Sequence, residues 1–175
     1  YFVCGTNILS SSISTKTLYY LLSIASKFDV KIIIDLNWRE VFWDHSTLGS
    51  TNGKKERVNL IKNFLSYAHI IKLAKEEAIL FFENEDPIQI SQTNLNRPDV
   101  VITDGANPIS WFINGIKGTT EVINSSEIVD TTGAGDAFLA GLISKYISFD
   151  HSLNESEIQN CVRFASVCGL LTCLG

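Results

Sequence analysis

The run Asp130-Thr131-Thr132-Gly133-Ala134-Gly135-Asp136 sets two glycines and an aspartate where a loop turns into the apolar stretch Ala137, Phe138, Leu139, Ala140, Leu142, Ile143. Glycines let backbone N–H groups crowd against an anion, and a helix N-terminus favours negative charge. The amides of Ala134, Gly135 and Asp136 are therefore a candidate hole for a phosphoryl group. An aspartate in the same place repels a phosphate. It makes sense there if it takes the proton of a hydroxyl that attacks the phosphorus. The plainer reading is a glycine-rich turn in which Asp136 stabilises the first helical turn. Seven specified residues in one context favour the chemical reading.

Three further polar clusters stand at the ends of apolar runs: Asp35 to Arg39, Lys72 to Glu77, and Thr103 to Asn107. In open α/β sheets, ligands gather at the carboxyl ends of strands. Asn37 and Arg39 are expected to leave the strand with the pleat direction of Asp35. Arginine there holds a phosphate or an acidic sugar through its planar fork. The plainer reading is an aspartate that caps the next turn and an arginine that satisfies it. Trp38, Phe42 and Trp43 read as packing. Asp104-Gly105 and Asn107-Pro108 are also ordinary turn dipeptides.

The elements that must position these clusters alternate between strand and helix signals. Strands are expected at 1–4, 31–35, 69–72 and 100–103, and helices at 15–28, 56–66 and 75–83, with a polar loop at 44–55. Residues 110–113 and 120–123 read as a hairpin about Asn114-Gly115, a favoured turn dipeptide. The helix after the 130–136 loop runs to about 148. Asn154 with Glu157 three residues on reads as a capping box that opens a last helix, 155–173. Short continuous apolar strands alternating with helices argue for an α/β fold whose mainly parallel sheet is covered on both faces.

Composition limits the partners. The 175 residues carry a net charge of −5, and 45% are hydrophobic, which argues against disorder and against nucleic acid or an anionic membrane as partner. No apolar run approaches a membrane span of about 18 residues. The four cysteines form no CxxC pair, which suits thiols in a reducing, cytoplasmic setting, and the three histidines lack metal-ligand spacing. With no methionine anywhere and an apolar start and finish, residues 1–175 read as a piece of one longer domain, cut at both ends.

The segment Asp130 to Phe138 resembles the C-terminal signature of the ribokinase-type (PfkB) carbohydrate kinases. The segment Asp35 to Trp43 resembles the D-x-N-x-R…W stretch of the fructokinases and 2-keto-3-deoxygluconate kinases. The resemblance implies a ribokinase-like three-layer αβα sandwich, with the N-terminal strands and the β lid of that fold outside this stretch. It implies ATP-dependent phosphorylation of a sugar hydroxyl, fructose or a related keto sugar or sugar acid.

By the same resemblance Asp136 is the base and Gly133, Ala134 and Gly135 form the anion hole. Asn37 and Arg39 bind substrate or phosphate, and Thr103 and Gly105 lie along ATP. Glu77 belongs to the network around Mg2+, acting through water. Asp130 and the Thr132 carbonyl match positions that hold a monovalent cation, K+, in some members. Ala74 stands where many members carry an asparagine, and Pro108 where many carry a second glycine. A homodimer stays open. So do a ribose or nucleoside kinase of the same family and a catalytically weak relative that works as a scaffold. A nicotinamide-dependent dehydrogenase is disfavoured, since no strand is followed by G-x-G-x-x-G.

Overall fold

Strands that are apolar on both faces need helices on both sides of their sheet, and the computed structural model, which describes residues 1–42, 51–149 and 151–174, has that arrangement. Six strands lie side by side in chain order: β1 (Phe2–Gly5), β2 (Ile32–Asp35), β3 (Ile70–Ala74), β4 (Asp99–Asp104), β5 (Asn107–Ile113) and β6 (Ile116–Thr120). The pairs β1–β2, β2–β3 and β3–β4 are parallel, and β4–β5 and β5–β6 are antiparallel. The result is the expected mixed, mainly parallel-centred α/β sandwich.

The parallel strands are joined by α1 (Ser12–Lys27), α2 (Thr51–Leu65), and the pair α3 (Lys75–Phe82) and α4 (Pro87–Thr93). Right-handed crossovers place all of these on one face. There Leu18, Leu22, Ile61, Phe64 and Phe81 pack on Ile32, Ile34, Ile71 and Leu73. The opposite face is covered by α5 (Ala134–Tyr146) and α6 (Glu155–Cys173). Phe138, Leu142, Ile158 and Val162 pack there with Val101, Ile109 and Trp111, while Leu139 joins Ile33 and Ile70.

Strand parity now matters for chemistry. Asp35 follows Ile33 by two residues, Lys72 follows Ile70 and Thr103 follows Val101. Side chains two apart share a face, so all three stand on the side that α5 covers.

Local signals placed most elements within a few residues. The capping box is formed: Asn154 Oδ1 accepts the Glu157 N–H at 3.1 Å and a Glu157 carboxylate oxygen accepts the Asn154 N–H at 2.9 Å. The hairpin differs from expectation. Asn114 and Gly115 take φ of 52° and 79°, so two residues suffice for the turn. The return strand therefore starts at Ile116 and ends at Thr120 rather than spanning 120–123, and Trp111 stands opposite Gly118.

The expected 44–55 loop is in part helix, because α2 already begins at Thr51; the rest of it, and Trp43, lie outside the described residues. Helix α4 is an element beyond those expected; Asp86 caps it through the Ile88 N–H at 3.0 Å and Pro87 opens it. Trp38 packs edge-on against Phe81 as expected. Phe42, expected as packing, is instead 55% exposed.

Candidate active site

The helix α5 starts through a left-handed residue. Gly133 is its N-cap, with φ 82° and ψ −7°, a conformation that costs glycine little and other residues more. The Ala134 N–H turns back to the Thr131 carbonyl at 3.2 Å. This corrects the expectation of three open donors. The amides of Gly135 and Asp136, in the first turn, have no helical carbonyl to reach. Asp136 is exposed beside them.

Preceding the cap, Asp130 Oδ1 accepts both the backbone N–H of Thr132 at 3.0 Å and its hydroxyl at 2.9 Å. Those two bonds, the backbone one foremost, hold the Asp130 carboxyl below its usual range. The Asp130 N–H is in turn tied to the Cys173 carbonyl at the end of α6. Among the described residues, no backbone N–H outside regular helices and strands is bonded to the Thr132 carbonyl.

The cluster at the end of β2 departs from its expected geometry. The strand stops at Asp35, the Leu36 N–H donates to the Lys72 carbonyl at 2.9 Å, and Asn37 turns left-handed at φ 37°. Pleat alternation therefore does not carry through to Arg39. The two side chains still meet, because Arg39 Nε donates to Asn37 Oδ1 at 3.3 Å. Arginine 39 is exposed and does not satisfy Asp35.

The partner of Asp35 is Lys72, which the motifs did not single out. Its Nζ stands 3.2 and 3.4 Å from the two carboxylate oxygens, and both side chains are buried. The two residues are register partners on β2 and β3. A charge inside the apolar run Ile70-Ile71-Lys72-Leu73 was the signal that could have found it. Burial, foremost, pushes the Asp35 carboxyl up; Lys72 opposes this, and the nearby Asp136 charge adds to it.

Glu77 is engaged on both oxygens. One accepts the Trp38 N–H and the other the Ala74 N–H at 2.7 Å. This is the one half of a capping box that an alanine N-cap allows. Burial, foremost, raises the Glu77 carboxyl above its usual range, against the pull of those two amides. Among the described residues, no group of three or more His, Cys, Asp or Glu side chains could hold a metal ion.

Thr103 and Gly105 close the site on its other side. Thr103, the last but one residue of β4, donates its hydroxyl to the Leu73 carbonyl at 3.4 Å, and Gly105 is left-handed at φ 55°. Both line a cavity of about 390 Å³ together with Thr131, Ala134, Gly135, Phe138 and residues of α6. Ser166 of α6 is one of these, and its buried Oγ has no hydrogen-bond partner among the described residues. Gly135 is the joint of the whole arrangement. It borders this cavity, and a methyl group placed on it would stand 3.0 Å from Lys72 Nζ at the strand ends.

A sequence profile of the pfkB family of carbohydrate kinases matches residues 1–174. The chain belongs to that family. It is 29% identical over 154 residues to probable fructokinase-6, chloroplastic, of Arabidopsis thaliana, covering 85% of this chain and 38% of that protein. It is 48% identical over 64 residues to an uncharacterized sugar kinase of Dictyostelium discoideum, covering 37% of this chain and 15% of that one.

The fold is shared with solved structures. A fructokinase with bound ATP from Xylella fastidiosa superposes with a TM-score of 0.83 at 22% identity, over 99% of this chain and 55% of that one. A fructokinase from Vibrio cholerae O395 in a form with bound fructose, ADP and calcium ion gives 0.80 at 21% identity, over 99% and 54%. The chain thus spans about half the length of these structures, and 38% and 42% of two Arabidopsis relatives. Family membership accounts for the three-layer fold. Among the described residues, no helix is long and apolar enough to cross a membrane.

Proposed function

We propose that the protein carrying this chain transfers the terminal phosphoryl group of ATP to a sugar hydroxyl, with fructose or a related keto sugar or sugar acid as acceptor. The position of Gly135 carries this reading. A nucleotide in the 390 Å³ cavity would end its phosphates at Gly135, and an acceptor over the end of β2 would meet them there.

In this reading Asp136 takes the acceptor's proton. The first turn of α5 at Gly133, Ala134 and Gly135 receives the transferring group, with the Gly135 and Asp136 amides as its open donors. Asn37 and Arg39 hold the acceptor or its phosphate, and Thr103 and Gly105 flank the nucleotide. Mg2+ would supply charge neutralisation to the triphosphate. Glu77 would reach it through water, using the lone pairs that its two backbone bonds leave over. Asp130 and the Thr132 carbonyl would hold K+. We place the protein in the cytoplasm, in keeping with its free thiols; a homodimer is one assembly open to it.

A panel of fructose, 2-keto-3-deoxygluconate, ribose and adenosine, each with MgATP and the complete protein, tests the reading. Turnover of fructose or the keto-sugar acid is expected. Turnover of adenosine or ribose alone would move the acceptor to the alternative within the family. A folded protein that binds ATP but turns over none of them would make it a binding relative instead.

A further inference from the structure

We propose that Lys72 is a further residue of the transfer machinery, the fixed ammonium that meets the phosphoryl group beneath the first turn of α5. The proposal rests on the phosphotransfer reading above.

Four observations carry it. First, the Lys72–Asp35 pair is buried, and a buried ion pair is weak evidence for stability, since apolar residues of similar volume often serve as well. Its presence among apolar strand residues asks for another reason.

Second, the pairing is loose. Distances of 3.2 and 3.4 Å exceed the roughly 2.7–2.9 Å of a strong charge-assisted bond. An ammonium has three donors, and Asp35 does not hold them tightly.

Third, among the described residues Lys72 Nζ is the one side-chain or loop atom within 4 Å of where a methyl on Gly135 would sit. A methyl on Gly135 would lie 3.0 Å from Nζ. Gly135 is helical and has no positive φ, so its backbone does not require glycine. Alanine there would favour the helix by about 0.5–1 kcal/mol. The missing methyl leaves the ammonium open to the same point that the Gly135 and Asp136 amides address.

Fourth, the charge balance needs a cation. Asp35 and Asp136 are close enough for the Asp136 charge to bear on Asp35, and the phosphoryl oxygens would add more negative charge. Lys72 offsets one carboxylate and can lend its donors to an incoming oxygen.

In the step itself, the bond from the acceptor oxygen to phosphorus forms and the bond from phosphorus to the bridging oxygen of ADP breaks. The acceptor's proton goes to Asp136. Lys72 keeps its protons and forms no bond. Its contribution is a charge placed before the reaction, where low dielectric makes it worth more than in water.

The test compares the complete wild-type protein, Lys72→Gln, and the double variant Asp35→Asn with Lys72→Gln. Melting, affinity for ATP and for AMP, and turnover are measured for each. The single variant leaves Asp35 buried without its cation and is expected to melt earlier; the double variant restores melting. Turnover is expected to stay about 10²-fold down in both. ATP affinity is expected to drop about tenfold or more, while AMP, which lacks the terminal phosphates, binds as in the wild type. Recovery of turnover together with melting in the double variant would reduce Lys72 to a structural tie and overturn the proposal. Equal loss of AMP and ATP affinity would do the same. Absence of sugar turnover in the wild type would sink the phosphotransfer reading, and the ATP-to-AMP comparison would still decide Lys72.

Discussion

The Glu77 carboxylate accepts the backbone N–H of Trp38, 39 residues earlier in the chain. With its other oxygen on the Ala74 N–H, it fastens the loop after β2 to the start of α3. A side chain expected at a metal network is, in the folded chain, first a brace for the Asn37–Arg39 turn.

Glu77→Ala should therefore act on stability and on acceptor binding together. Bonds to a charged acceptor are worth about 1.5–3 kcal/mol each, less the relief of no longer burying the carboxylate. A net loss of about 2 kcal/mol is expected by denaturant melting, with a raised KM for the acceptor. Unchanged melting with lost Mg2+ dependence would instead make Glu77 a metal-network residue alone.

Asp136→Asn separates the two readings of the helix start. If the carboxylate only complements the helix dipole, its loss costs about 0.3–1 kcal/mol and leaves turnover intact. If it is the base, turnover falls about 10²–10⁴-fold while melting barely moves. We expect the second outcome in a sugar phosphorylation assay, and wild-type-like turnover in the variant would refute it.

Gly118→Ala is expected to damage the hairpin. A methyl on Gly118 would lie 2.3 Å from the ring of Trp111, which is fully buried and bonded through Nε1 to Thr120 Oγ1 at 3.0 Å. Such crowding typically costs about 1–3 kcal/mol. A lowered midpoint with altered tryptophan fluorescence would show it. A variant as stable as the wild type would mean that the ring has room to shift.

His69 makes part of the stability pH-dependent. Its Nδ1 accepts the Ile32 N–H at 3.1 Å, which requires the neutral ring. Burial, foremost, and Lys31 beside it lower its pKa. Its contribution is then complete above its unfolded value of about 6.5 and is lost as pH falls through the lower folded value. Asp35, Glu77 and Asp99, all raised by burial, work in the opposite sense over the acid range. The clean measurement is the difference in denaturant midpoint between wild type and His69→Gln from pH 7.5 to 5. That difference should shrink with acid, and a constant one would show that the ring does not titrate differently on folding.

Local patterns carried much of this protein. Apolar runs of four or five residues announced the covered strands, Asn154 and Glu157 announced the last helix, and Asp130 to Asp136 announced the glycine-rich start of α5. Each of these depends on residues within a few positions of one another, where spacing alone sets direction. The Asp86-Pro87 start of α4 is an equally local signal.

Motifs and apolar spacing along the chain thus carried the family, the layered α/β fold and the residues that open α5. Packing in three dimensions set which side chains meet across strands. Asp35 belongs to Lys72, 37 residues away, rather than to neighbouring Arg39. Glu77 belongs to two backbone amides, and Gly135 leaves room for an ammonium from another strand. Register between parallel strands separated by crossover helices is set by packing on both faces of the sheet, and short-range spacing carries no record of it.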